Sequence, residues 1–272
     1  MVMVSGSKVG LYLPMGGRSA PPPFATWPLE ATSCAPTPFA TCRLAFKTAI
    51  LVRSSMEFIF DNLLYHAARE SRLRNLFRHL DPAAVAGKRI LEVGCGTGEL
   101  GQALVDAGSH VVSLDARAEY IEEISRRAPG RPAYVMDLDQ WDPAPLGPFD
   151  AVFCFGLLYH LSTPAEFLTA CAFTAPILYL ETVVTDSAET ICPLVAEEGA
   201  DQAWSGRGCR PSPAWLHQFL TGLSFQVQDI STAEANWGGP APSIFDWSPV
   251  NDGKWQRDDA LLRKMLICVR PR

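Results

Sequence analysis

None of the eight cysteines (Cys34, Cys42, Cys95, Cys154, Cys171, Cys192, Cys209, Cys268) forms a CxxC pair. Zinc-ribbon and thioredoxin-like chemistry therefore has no support. Several cysteines lie within apolar stretches such as FDAVFCFG and KMLICVR. This is the pattern of small buried thiols in a reducing, cytoplasmic compartment. No apolar run approaches the ~18 residues needed to cross a bilayer. The five histidines do not cluster with acids at ligand spacing, so no metal site is expected. Clustered basic residues are also missing: 23 Lys and Arg stand against 29 Asp and Glu, a net charge of −6. Non-specific nucleic-acid binding needs Lys and Arg gathered on one face, which this balance disfavours.

Acids are nearly absent from residues 1–55, where Glu30 alone faces Lys8, Arg18, Arg43, Lys47 and Arg53, a charge of +4. The rest of the chain therefore carries −10. The segment holds seven prolines, including Pro21-Pro22-Pro23, and no helical or strand period persists in it. It reads as a disordered leader, or as an upstream extension with Met56 as the functional start. A folded unit is expected over 56–272.

With 48% apolar residues, the chain has enough material for a sizeable core. From Met56 onward, apolar runs of strand length alternate with stretches of helical period. RILEVG, HVVSLD, PAYVMD, FDAVFCFG and PILYLETVV read as strands. GELGQALVDAG, AEYIEEISRRA and PAEFLTACAFTA read as helices between them, after an opening stretch of helical period in MEFIFDNLLYHAARESRLRNLFRHLD, with apolar positions from Phe58 to Leu80. This rhythm predicts an α/β fold with a doubly wound, mostly parallel sheet covered on both faces, a three-layer α/β/α arrangement. Residues 183–212 break the rhythm and read as a long loop or substrate cap. A helix in PAWLHQFLTGL and strands in SFQVQDI and KMLICVR close the chain.

The sharpest local signal is RILEVGCGTGELG, residues 89–101. A strand ends at Val93, and Gly94, Gly96 and Gly98 form the turn into a helix. Glycine is needed where backbone takes positive φ or approaches a ligand closely. The helix start adds free N–H groups and a positive dipole end. Gly96 to Gly101 formally matches the dinucleotide GxGxxG pattern. Counted from the strand end, however, the spacing is GxGxG, with Glu99 where the third glycine would fall. Glu92, just before the turn, would repel a pyrophosphate but suits a cationic ligand.

These residues resemble the first motif of the class I, Rossmann-like S-adenosylmethionine-dependent methyltransferases. The resemblance implies S-adenosyl-L-methionine as cofactor. It also implies a seven-stranded sheet of order 3-2-1-4-5-7-6 with strand seven antiparallel. It assigns Glu92, Gly94, Gly96 and Gly98 to the cofactor turn. Asp115 becomes a ribose ligand accepting both hydroxyls, with a helix N-cap as the compatible alternative. Asp137, with Asp139 competing, becomes the adenine acceptor, and Leu138 lies against the ring. Phe155, in a segment matching the family's fourth motif, flanks the methyl-donor sulfur.

The acceptor should lie beyond the fourth strand. His160 is the candidate catalytic base there, or else a residue that orients the loop. Tyr159 and Glu181 are candidate acceptor contacts, with a structural pairing as the alternative for Glu181. Arg207 and Arg210, in SGRGCRPSP, suit an anionic acceptor. Trp204, Trp215, Trp237 and Trp247 are cap or core candidates. Tyr65 and Arg69 share one helix face and could close over the ligand. The expected function is methyl transfer to a small molecule, an anionic one if the arginines face it. The rivals are an RNA-modifying enzyme, since FCFGLLYHL is similar to tRNA wobble-uridine alkylating enzymes, and a non-catalytic S-adenosylmethionine-binding module. An NAD-linked enzyme is the third.

Overall fold

The computed structural model describes residues 58–197, 199, 202–238 and 242–271. The chain divides into Met1–Ser55 and Met56–Arg272. The expected leader lies outside the described residues.

The predicted strands form where the apolar runs place them. They are β1 (Arg89–Val93), β2 (His110–Asp115), β3 (Ala133–Val135), β4 (Ala151–Phe155) and β5 (Ile177–Val183). All five run parallel, in the order β3-β2-β1-β4-β5. Such strands are buried on both faces, so their side chains alternate between two separate cores. Leu91, Val93, Val112, Leu114, Val152 and Cys154 enter one core, and Ile90, Val111, Ala151, Phe153 and Phe155 the other.

Helices cover both faces. The opening helix α1 (Leu63–His79) and α2 (Glu99–Asp106) supply Leu76 and Leu104 to the second core. α3 (Ala118–Arg127) packs Ile121 and Ile124 beside Cys95. α4 (Pro164–Thr174) and α5 (Pro213–Gly222) supply Phe167, Leu168, Cys171, Leu216 and Leu220 to the first core. α1 starts at Leu63 rather than at Phe58, because Asn62 caps it by accepting from Leu64 N–H at 2.8 Å.

Residues 183–212 are more ordered than a loop. They carry an antiparallel hairpin of β6 (Leu194–Ala196) and β7 (Arg207–Cys209). The sheet is completed by β8 (Gln226–Asp229) and β11 (Ala260–Val269), which run antiparallel to each other, with β11 antiparallel to β5. The seven principal strands thus have the order β3-β2-β1-β4-β5-β11-β8. This matches 3-2-1-4-5-7-6 when β8 and β11 are counted as sixth and seventh. Two-residue strands β9 (Ser243–Ile244) and β10 (Gln256–Arg257) extend the sheet along the first part of β11. β11 therefore begins earlier than KMLICVR suggested, and its first residues reach the carboxyl ends of the parallel strands.

Candidate active site

β1 delivers the chain into the turn Gly94–Gly98, and α2 leaves from it. Gly96 sits at φ +52°, where only glycine is unstrained, and a Cβ there would lie 2.8 Å from the Phe60 ring. Cys95 N–H donates to Leu114 O at 3.0 Å, tying the turn to β2. Asp115, at the end of β2, accepts from Gly96 N–H at 2.9 Å and from Arg117 N–H at 3.0 Å. Burial pushes its carboxyl pKa up, with those two backbone donors opposing. Its side chain also lines the crevice above the turn. Both readings of Asp115 are compatible here, since each oxygen keeps a second lone pair.

Glu92 differs from expectation. Its side chain does not line the crevice; it is buried beneath the turn. It accepts from Gly101 N–H at 2.6 Å and from Ser113 Oγ–H at 2.7 Å. A Cβ at Gly101 would overlap this carboxylate. Gly101 is thus the partner of Glu92 rather than the third glycine of a dinucleotide site. Gly98 also turns away from the crevice, packing against Arg131 and Ile124.

At β3, Asp137 caps its own turn by accepting from Asp139 N–H at 3.0 Å. Asp139 Oδ1 accepts from Ser162 N–H, Thr163 N–H and the Thr163 hydroxyl at 2.7–3.0 Å. Asp139 is therefore committed to holding the loop after β4, while both acids and Leu138 border the crevice.

β4 ends at Phe155, and a single 3₁₀ turn, Leu158–His160, follows. His160 Nδ1 lies 2.5 Å from Glu197 Oε2. Glu197 is buried and follows β6. Its other oxygen accepts from Arg210 Nη2 at 2.5 Å, and Ala203 N–H donates to Oε2 at 3.2 Å. Arg210 Nη1 also donates to the carbonyl of Tyr159 at 3.0 Å. Burial works against the Glu197 charge, but His160 and Arg210 prevail and hold its pKa below the usual carboxylate value. A Cβ on Gly208, in β7, would overlap the Tyr159 carbonyl. The hairpin thus closes directly on the turn that carries His160.

These groups border one cavity of about 350 Å³. That volume lies within the range of small-molecule sites. Of the residues singled out in the sequence, Gly94, Gly96, Asp115, Asp137, Leu138, Phe155, Tyr159, His160 and Arg210 line it, as do Tyr65, Arg69, Trp204 and Trp237. Glu92, Gly98, Glu181 and Arg207 do not. Arg207 is exposed on the outer side of the hairpin. Trp215 and Trp247 pack in the core. Sequence reasoning missed Glu197, Arg72 and Arg263, because nothing local marks the fold that brings them together. A second groove, of about 960 Å³, is lined by Trp141, Pro143, Phe173 and Thr174. Only Asp142 and Glu166 bring charge to it, so it lacks the chemistry of the first. Among the described residues no group of His, Cys, Asp and Glu is poised to hold a metal. No helix there is long and apolar enough to cross a membrane.

Residues 90–174 match the family model described as "Methyltransferase domain". Over these residues the chain carries a methyltransferase domain on a Rossmann-like α/β fold. A ubiquinone biosynthesis O-methyltransferase from Xylella fastidiosa (strain M23) is 34% identical over 114 residues, covering 39% of this chain and 44% of the relative. A tRNA U34 carboxymethyltransferase from Shewanella piezotolerans (strain WP3 / JCM 13877) is 30% identical over 190 residues, covering 64% of this chain and 56% of the relative. The chain thus spans about half the length of these curated relatives. Among solved structures, the N-terminal domain of EvdMO1 with SAH bound aligns with a TM-score of 0.59 at 21% identity, covering 85% of this chain and 97% of that one. Magnesium protoporphyrin IX methyltransferase (ChlM) from Synechocystis PCC 6803 with bound SAM gives 0.50 at 15% identity, covering 84% and 91%.

The crevice above the glycine turn fits S-adenosyl-L-methionine chemically. The turn presents backbone without side chains, and Asp115 stands beside it with acceptor capacity to spare. Removing the Asp115 carboxylate should weaken binding. Asp115→Ala is expected to cost about 1.5–3 kcal/mol in S-adenosylhomocysteine affinity, the scale of hydrogen bonds to a charged group. Titration calorimetry checks this, and unchanged affinity would remove Asp115 from the ribose role.

Proposed function

We propose that this protein transfers the methyl group of S-adenosylmethionine to a proton-bearing atom of a small, anionic acceptor. The observation that carries the reading is His160, held by Glu197 and bordering the same crevice as the glycine turn. A bound sulfonium supplies a methyl group already activated for in-line displacement. The protein's work is alignment, exclusion of water and removal of one proton.

Asp115 holds the ribose hydroxyls, and Asp137 with the Leu138 backbone meets the adenine edge. Gly94, Gly96 and Phe155 leave room on the sulfur side. Glu92 and Gly98 support the turn from beneath. The Glu197 carboxylate accepts from His160 Nδ1–H, which fixes the tautomer and leaves the lone pair on Nε2. Nε2 is placed to take the proton of the acceptor nucleophile as the nucleophile–methyl bond forms and the methyl–sulfur bond breaks, the neutral thioether S-adenosylhomocysteine leaving. The imidazolium so created is stabilised by Glu197, which remains ionised. Arg210 neutralises Glu197 in the resting state and anchors the Tyr159 carbonyl, while the β6–β7 hairpin serves as the cap.

Mass spectrometry of a metabolite extract incubated with enzyme and isotopically labelled S-adenosylmethionine tests the reading. A labelled low-mass product is expected. Cofactor binding without any labelled product would instead support a binding module. The Shewanella relative's name gives an RNA acceptor a second hearing, so a tRNA fraction belongs in the same assay. The net charge of −6 speaks against that arm.

A further inference from the structure

Charge is out of balance at one wall of the crevice. Glu181, at the end of β5, is fully buried. Its Oε1 accepts from Arg263 Nη1 at 2.7 Å. Its Oε2 has no hydrogen-bond partner among the described residues and lies 3.8 Å from Arg72 Nη1. Two guanidiniums thus share one carboxylate, leaving one positive charge over.

The two arginines are not equivalent. Arg263, on β11, is nearly buried and also donates to Ser243 Oγ at 3.0 Å and to the Tyr159 hydroxyl at 3.2 Å. Burial is overcome there by the attraction of Glu181, and its pKa rises. Arg72, on α1, makes no hydrogen bond to any described residue. Burial prevails over Glu181 in its case, and its pKa falls. The Arg72 side chain is 16% exposed and lies 3.8 Å from a carboxylate already bonded to Arg263, so its donor fork stays available to a ligand. Arg72, Arg263 and Tyr159 all border the cavity. The other arginines there are better occupied: Arg210 is matched by Glu197, Arg69 lies 3.9 Å from Glu99, and Arg117 donates to the Gln202 carbonyl at 2.8 Å.

We propose that Arg72, Arg263 and the Tyr159 hydroxyl form a subsite for a single carboxylate group of the acceptor. The planar donor fork of Arg72 suits two carboxylate oxygens. The Tyr159 hydroxyl accepts from Arg263, so its own proton is free to donate. One surplus positive charge matches a monoanion, whereas a phosphate monoester carries nearly two negative charges near neutrality. Tyr65 and Trp237, with ring centroids 6.3 Å apart, border the same cavity and suit an apolar body on the acceptor. The subsite's role in substrate choice rests on the methyl-transfer reading; its binding chemistry does not.

Acetate is the probe, because any carboxylate subsite admits it. Saturation-transfer NMR of the acetate methyl is recorded with the full-length protein and S-adenosylhomocysteine present. Acetamide serves as the uncharged control and inorganic phosphate as competitor. Acetate should bind and acetamide should not. Arg72→Gln should weaken acetate by about 10-fold or more, as expected for a lost charged hydrogen bond, while Arg207→Gln leaves it unchanged. Should Arg72→Gln fail to fold, Arg72→Lys decides: it keeps the charge without the fork, and weaker acetate binding is expected. Equal acetate binding by the Arg72 variant and the parent overturns the subsite, as does equal binding of acetamide or no binding of acetate. Tighter binding of phosphate than of acetate overturns the carboxylate assignment. Calorimetry of S-adenosylhomocysteine in the same samples separates the two ideas. Its failure in the parent protein sinks the methyl-transfer reading, whatever acetate does.

Discussion

His160→Ala leaves S-adenosylhomocysteine affinity unchanged and lowers turnover by ~10²–10⁴-fold, the range supplied by a positioned general base. The expectation follows from where the imidazole sits. His160 belongs to the turn after β4, outside the glycine turn proposed to hold the cofactor. Its hydrogen-bond partner, Glu197, comes from the hairpin. Removing the ring therefore deletes a proton acceptor without disturbing Gly94, Gly96 or Asp115. Glu197→Gln should act through His160. A glutamine oxygen can still accept from Nδ1–H, but it no longer stabilises the imidazolium. Turnover should fall less than in His160→Ala, and the acidic limb of its pH profile, where a general base is lost by protonation, should move relative to the parent. Glu197→Asp, which restores the charge, should recover part of the loss. Single-turnover kinetics with labelled donor checks all three. If His160→Ala turns over like the parent, His160 is a loop-orienting residue and the acceptor needs no base.

The sheet was legible because buried parallel strands are written as short apolar runs, and each run from RILEV to ILYLETV appears where its composition places it. The glycine turn was legible for a similar reason: backbone without side chains can only be encoded by glycine. What Glu92 does was not legible. A carboxylate next to a glycine turn looks the same in sequence whether it faces the ligand or lies beneath it, and only the packing of Gly101 against it decides. The acceptor wall was the least legible part. Glu197, Arg210, Arg72 and Arg263 come from a hairpin, the opening helix and the last strand, and no periodicity links them. Arg207 and Arg210 seemed equivalent in SGRGCRPSP, yet β7 and the residue after it send Arg210 inward to Glu197 and leave Arg207 in solvent. Strand alternation predicts opposite faces for neighbours, not for residues three apart with an irregular end between them.

Glu92→Gln should make the protein more stable than its parent at neutral and alkaline pH, and should remove part of its pH dependence. Burial raises the Glu92 carboxyl from its ordinary 4.5 to about 7, against the opposing donors Ser113 and Gly101. The folded protein therefore keeps a proton on Glu92 over a range in which the unfolded chain has released it. Folding takes up that proton, so this contribution is intact below about pH 4.5, declines as pH rises towards about 7, and is level beyond. The interval corresponds to about 3 kcal/mol at 1.36 kcal/mol per unit. Glutamine fits the same pocket: its oxygen accepts from Gly101 N–H and its amide donates to Ser113 Oγ. Urea unfolding of both proteins across this range isolates the effect, because every other titrating group is common to the two. The variant's stability should pull ahead of the parent's as pH rises, and the gap should stop growing above about pH 7. Two parallel curves would mean that Glu92 is ionised throughout. The turn would then stand above a buried negative charge, and a cationic ligand would gain from Glu92 at a distance after all.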